Sequence, residues 1–206
     1  TKGGAKAIAC DCKTGKGLNR FAEEVRGLLA DKIAVWTAKG MGGRSIRLMV
    51  VGIPNVGKSS FINRMAKGVK AKVADRPGVT RGNQWFTIDG GVELLDTPGV
   101  LWPKFDDPEV GRRLAFTGAV KDAVVDQESL CLDLLAYLRD QYPDSLRGRY
   151  KLDGVEGLST PELMERIARS RGMIMRGGEP DYERVSVMIL DEFRAGRLGR
   201  ITLERP

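Results

Sequence analysis

Apolar residues along this chain keep two different rhythms. Up to about residue 107 they come mostly as short runs separated by turn residues. Lys6 to Asp11 (KAIACD) predicts a strand, and the glycine-rich KTGKG after it predicts a turn. Leu18, Phe21, Val25, Leu28 and Leu29 then recur at helical spacing, which predicts one long helix from about Leu18 towards Lys39, ended by GMGGRS. Ile46 to Val51 (IRLMVV) is a short, strongly apolar strand of the kind buried in a parallel sheet. A second glycine-rich loop leads into a helix over SSFINRMA. Gln84 to Ile88 and Val92 to Leu95 read as two further strands, joined through Asp89-Gly90-Gly91, a good hairpin turn.

After Trp102 the pattern is helical, with little strand signal. Leu130, Leu132, Leu134, Leu135 and Leu138 sit in one dense helix. Ser159-Thr160-Pro161-Glu162 has the hydroxyl, early proline and first-turn acid of a helix start. Val185, Val187, Met188, Ile189, Leu190 and Phe193 mark a last helix. The chain is therefore expected to hold an α/β unit over 1–107 and an all-helical unit over 108–206.

Composition narrows the class. Among 206 residues, 42% are hydrophobic and 30% charged, the balance of an ordinary globular protein. No apolar run approaches the ~20 residues of a membrane helix, and TKGGAKAIACDCK is too polar for a signal peptide. With three cysteines and no histidine, Cys10 and Cys12 read as reduced, buried or half-buried thiols rather than metal ligands. That reading expects a cytosolic protein. The net charge of +7 is unevenly spread: residues 1–72 carry 15 Lys and Arg against 4 Asp and Glu, and the remainder 19 against 23. Such asymmetry suits a polyanion partner, whether nucleotide phosphates or nucleic acid, as well as it suits a solvated lysine-rich face.

The sharpest chemistry lies in Gly52-Ile53-Pro54-Asn55-Val56-Gly57-Lys58-Ser59, which fits G-x-x-x-x-G-K-[ST] between an apolar strand and a helix. In that arrangement the backbone N–H groups and the helix N-terminus face phosphates. Lys58 reaches the β- and γ-phosphates, and the Ser59 hydroxyl ligates Mg²⁺. Asn55, Val56, Gly57, Lys58, Ser59 and Ser60 are thus candidate nucleotide-binding residues. In LLDTPGV, Asp96 ends a strand where a carboxylate would hold the Mg²⁺ shell, and the Gly99 N–H is placed for the γ-phosphate. Between the two motifs, Thr80 in DRPGVTRGNQW is the candidate switch threonine, touching Mg²⁺ and γ-phosphate in the triphosphate state. Lys58, Thr80 and Gly99 are the candidate catalytic residues; Ser59, Thr80 and Asp96 are the candidate Mg²⁺ ligands.

No Asn-Lys-x-Asp guanine motif follows DTPG. The other guanine element, Ser-Ala-Lys-x-Gly-x-Gly-Leu, normally comes last, yet Asp11-Cys12-Lys13-Thr14-Gly15-Lys16-Gly17-Leu18 has its shape and comes first. Asp11 and Cys12 are therefore candidate base-binding residues, with Cys12 at the position whose N–H meets guanine O6. The order base loop, phosphate loop, switch I, switch II is a circular permutation, and the Asn-Lys-x-Asp is expected upstream of Thr1.

These features, with GIPNVGKSSFINR, DRPGVTRGNQW, LLDTPGVLWPKF, LAFTGAVKD and a late RGMIMRGGEPDYERVSVMILDEFRAGRLGRITLE block, resemble the YlqF/RbgA family of circularly permuted GTPases, which assist assembly of the bacterial large ribosomal subunit. The resemblance covers nearly the whole chain. It implies a three-layer α/β P-loop GTPase domain, incomplete at its N-terminus, followed by an all-α domain that contacts ribosomal RNA. It implies GTP and Mg²⁺ as cofactors and K⁺ held near Asn55. The large-subunit precursor, its rRNA and its proteins, is the implied partner, without DNA or an integral membrane segment, in the bacterial cytoplasm.

The hydrophobic residue after DTPG, here Val100, is implied to be a family trait. In the best-known small GTPases a glutamine there orients the attacking water, and Val100 has no polar atom to do so. Hydrolysis is therefore expected to be slow alone and faster on the ribosomal particle. Two other readings stay open here: a GTP-gated RNA-binding placeholder with incidental hydrolysis, and a generic P-loop ATPase or small-molecule kinase. In the helical unit, the arginine clusters Arg166/Arg169/Arg171 and Arg194/Arg197/Arg200 are candidate phosphate contacts or parts of an acid–base-laced surface.

Overall fold

A computed structural model describes residues 5–66, 84–101 and 107–204. The chain divides into two units, Thr1–Leu101 and Trp102–Pro206. The first is built on a three-stranded sheet of β1 (Ile46–Val50), β2 (Gln84–Ile88) and β3 (Val92–Asp96), in the order β1-β3-β2. β2 and β3 form the hairpin that Asp89-Gly90-Gly91 calls for, with Ile88 opposite Val92 and Gln84 opposite Asp96. β1 runs parallel to β3, Ile46 beside Val92 and Val50 beside Asp96. That register matters for function. Val50 and Asp96 end side by side, so the loops leaving β1 and β3 emerge at the same carboxyl end of the sheet, where ligands bind in α/β folds.

Three helices cover one face of the sheet: α1 (Phe21–Leu28), α2 (Ala30–Ala38) and α3 (Lys58–Met65). Val25 and Ile62 join Ile46, Phe86, Ile88, Val92 and Leu94 in a buried cluster, with Ile33 and Trp36 packed at its side. Phe21 meets Phe61 edge-on at 5.1 Å between ring centroids, which ties α1 to α3.

Three sequence expectations change here. Lys6–Asp11 forms no strand: a strand needs a ladder partner, and no described strand pairs with it. Cys10 in this segment is accordingly exposed rather than buried, and Cys12 is half-buried beside it. The single long helix is two, broken at Leu29 (φ −108°, ψ 14°), although the Leu29 N–H still reaches the Val25 carbonyl at 3.2 Å. Finally, β1 is not buried on both faces. Ile46, Leu48 and Val50 face the helices, while Arg47 and Met49 point the other way and Met49 is 64% exposed. The described residues of this unit thus make two layers, where the resemblance implies three.

The second unit holds α4 (Pro108–Phe116), α5 (Gln127–Gln141), α6 (Pro143–Tyr150), α7 (Thr160–Ser170) and α8 (Tyr182–Arg194), and no strand among its described residues. Leu130, Cys131, Leu134, Leu135 and Leu138 of α5 pack with Leu163, Met164 and Ile167 of α7 and with Val185, Ile189 and Leu190 of α8. Caps fix the ends. Ser159 and Glu162 form a capping box at α7, and the Asp107, Asp126 and Asp181 carboxylates accept first-turn N–H groups of α4, α5 and α8. No helix among the described residues is long and apolar enough to cross a membrane.

Candidate nucleotide site

The loop between β1 and α3 curls because Asn55 and Gly57 both take positive φ, 59° and 93°. This brings the chain round so that α3 begins at Lys58 with its N-terminus at the carboxyl end of the sheet. The Lys58 ammonium donates to the Gly52 carbonyl at 3.0 Å and the Ile53 carbonyl at 2.8 Å, so its charge lies folded over the loop. Partial burial lowers the Lys58 pKa, against a smaller opposing pull from the Asp96 carboxylate. A lysine so placed favours an anionic partner, which would restore its charge stabilisation.

Asp96, 1% exposed, closes β3 and accepts from the Ser59 hydroxyl at 3.1 Å. The structure therefore brings together two candidate Mg²⁺ ligands, one from each motif. A hydroxyl and a carboxylate are hard oxygen donors, and Mg²⁺ is typically held by one or two such groups plus substrate phosphates. The residues present fit that ion. Thr80, the third candidate ligand, lies outside the described residues. Val56 is exposed at the loop's outer side, and Ser60 is half-buried in the first turn of α3.

Two contacts pin the segment after β3, one to the end of β1 and one to the phosphate loop. The Thr97 hydroxyl donates to the Val50 carbonyl at 2.6 Å, and the Val100 N–H donates to the Gly52 carbonyl at 3.4 Å. Between them Gly99 lies so close to the loop that a β-carbon there would fall 2.6 Å from both Cα and N of Pro54. Only glycine fits this approach. Val100 itself is 73% exposed.

The base loop is organised by its own aspartate. Asp11 Oδ1 accepts the N–H groups of Lys13 at 2.8 Å and Thr14 at 3.3 Å, and Oδ2 accepts the Thr14 hydroxyl at 2.8 Å. These bonds, the Thr14 hydroxyl foremost, hold the Asp11 carboxyl below its ordinary pKa. Asp11 therefore shapes the loop rather than presenting a free carboxylate. Burial and the neighbouring Cys10 thiol push the Cys12 pKa up.

Three residues of this site escaped the sequence reading: Pro54, Thr97 and Arg64. The first two sit inside the motifs, but their roles are contacts between motifs. Arg64 stands on α3 three residues after Phe61, the residue that packs on Phe21 just beyond the base loop; that spacing already puts it on the face turned towards the loop. In the helical unit, Arg194 is not presented for an outside partner. It donates to the Ala115 and Phe116 carbonyls at 3.1 Å each and pairs with Asp122 at 2.8 Å. Arg171 likewise donates to the Arg149 carbonyl at 3.1 Å, and Arg169 pairs with Glu165 at 2.7 Å.

Comparison with known proteins places this geometry. Residues 47–151 match the family described as 50S ribosome-binding GTPase. Ribosome biogenesis GTPase A of Bacillus cereus is 43% identical over 203 residues, covering 98% of this chain and 68% of that protein. The Thermotoga maritima protein of the same name is 33% identical over 164 residues, 79% of this chain and 58% of its own. Among solved structures, a GDP-bound YlqF superposes with a TM-score of 0.53 at 26% identity, over 84% of this chain and 66% of that one. A GNP-bound YlqF from T. maritima gives 0.52 at 30% identity, over 77% and 59%.

Proposed function

This chain belongs to the ribosome biogenesis GTPase A family, and from that membership we propose that it is a GTP-hydrolysing assembly factor for the large ribosomal subunit, slow alone and activated on the ribosomal particle. The observation that carries the proposal is the meeting of Ser59 and Asp96 at the shared end of β1 and β3, with Lys58 and Gly99 beside them. Such a site positions a triphosphate and neutralises its charge, which is most of what phosphoryl transfer asks of a protein. Mg²⁺ would be held by Ser59, Asp96 and Thr80, and K⁺ near Asn55.

The permuted order of motifs, with the base loop at Asp11–Leu18 ahead of the phosphate loop, belongs to the same proposal. So do an all-α unit that contacts ribosomal RNA and a bacterial cytoplasmic setting. The exposed, apolar Val100 supports the dependence on a partner, since nothing at that position orients a water. A trans-acting group is worth roughly 10³–10⁵ in rate in comparable GTPases.

The test compares GTP turnover of the full-length protein with and without large ribosomal subunits. Acceleration by orders of magnitude supports the proposal, and equal rates overturn the activation. Val100 also supports a second reading, a GTP-gated RNA-binding placeholder. A Thr80→Ala variant that cannot hydrolyse GTP yet completes assembly and leaves the particle normally would favour it.

A further inference from the structure

The arginine on α3 joins the two ends of the nucleotide site. Arg64 Nη2 donates to the Thr14 carbonyl at 2.8 Å, across fifty residues of sequence. Its guanidinium lies close against Gly15: a β-carbon there would fall 2.6 Å from Nη2 and 2.9 Å from Nε. Gly15 also holds φ at +84°, in the region that favours glycine. The loop is otherwise stiffened from within by Asp11, and its Gly15 N–H donates to the Asp11 carbonyl at 2.7 Å. Bonds inside the loop hold its shape. They do not fix where that shape stands relative to the phosphates. The Phe21–Phe61 contact ties α1 to α3 just beyond the loop, but Arg64 alone of these reaches into the loop itself, from the helix whose first residues are Lys58 and Ser59.

The geometry points to Arg64 as the positioning residue that sets the base loop at a fixed distance from the phosphate loop, and so makes guanine selectivity depend on α3. The inference rests on the proposed role of Asp11–Leu18 as the base loop. The chemistry suits the task. A guanidinium presents several donors in a planar fork, so it can bond a carbonyl while its other atoms lie against a residue without a side chain. A charge-assisted bond of this kind is stronger than a neutral one, and a side chain at position 15 would push it away. Arg64 acts on the nucleotide only through the loop.

The experiment measures GTP and ATP affinity of the full-length protein, both with Mg²⁺, for the wild type, Arg64→Met and Gly15→Ala. ATP shares the phosphates and lacks the guanine O6, so the ratio of the two affinities isolates the base contact. Arg64→Met is expected to weaken GTP at least tenfold while ATP changes less than threefold. Gly15→Ala, which breaks the same contact from the other side, is expected to lower the ratio as well. An Arg64→Lys variant, keeping a cationic donor, should recover part of it. Equal losses for GTP and ATP would mean that Arg64 merely supports α3, and would overturn the inference. An unchanged ratio in Arg64→Met would also overturn it. A wild-type ratio near one would instead overturn the guanine reading on which it rests.

Discussion

The Ser59 hydroxyl stands 3.1 Å from the Asp96 carboxylate, so the first turn of α3 and the last residue of β3 share a hydrogen bond. Thirty-seven residues separate them, and the parallel register of β1 with β3 closes the gap. If both oxygens belong to one Mg²⁺ shell, removing either should show as lost Mg²⁺ dependence. Ser59→Ala and Asp96→Asn are each expected to weaken Mg²⁺-supported GTP binding by about 10–100-fold. Titrating GTP at several Mg²⁺ concentrations reads this. A variant whose binding keeps the wild-type Mg²⁺ dependence would remove its residue from the site.

Gly99 tests the coupling of the two motifs. A methyl group there meets the backbone of Pro54, which has no flexible end to move aside. Gly99→Ala should displace the segment by a fraction of an ångström to an ångström. Misplacement on that scale costs about 10²-fold in rate, whereas GDP, lacking the γ-phosphate, should bind within a few-fold of wild type. Single-turnover hydrolysis and a GDP titration separate the two effects. Undiminished hydrolysis would sink the coupling.

In the helical unit, Glu192 is buried against Arg149, whose Nε donates to it at 2.9 Å, with Arg171 at 3.9 Å. The Arg149 bond holds the Glu192 carboxyl below its ordinary pKa, against the opposing effect of burial. A depressed acid stabilises the fold above the unfolded-state pKa and loses that contribution as pH falls through the folded one. Glu192→Ala should therefore destabilise the fold at pH 7, by about 1–2 kcal/mol given that the arginines left behind can reach water. Urea unfolding should show this deficit shrinking as pH drops below about 4.5. A deficit independent of pH would assign the effect to packing alone.

Cys131 gives the opposite sign. Burial raises its thiol from the usual 9.0 to about 12. The unfolded chain loses this proton first, so stability should fall as pH climbs from about 9 to about 12, by ~1.4 kcal/mol per unit at most. Cys131→Ala should flatten that slope. Thiol labelling offers a direct check: Cys10 is exposed and Cys12 half-buried, so the native protein should react at two thiols and show the third only in denaturant. Rapid native labelling of all three would contradict the packing of α5.

Much of this site was readable from the chain because its signals are local. G-x-x-x-x-G-K-S, DTPG and the capping box at Ser159 each need only a few consecutive residues. The three strands fall within a residue of their apolar runs for the same reason. What the sequence concealed was partnership over distance. Lys6–Asp11 has the composition of a strand but no described strand beside it. Arg194 looked like a candidate for phosphate, yet its guanidinium satisfies the last carbonyls of α4, seventy-eight residues away. Asp11 reads as a base-loop residue, and what its type does not reveal is that its carboxylate accepts from Lys13 and Thr14 within the same loop. Residue type alone does not distinguish a charge used inward from one offered outward.

The bond from Thr97 to the Val50 carbonyl limits how far the nucleotide's state can be broadcast. With Thr97 fixed to the end of β1 and Gly99 lodged on Pro54, the stretch between them is about 7 Å of chain at full extension. That is too little slack for a swinging arm. If Gly99 meets the γ-phosphate as proposed, its response must be a short stroke rather than a swing.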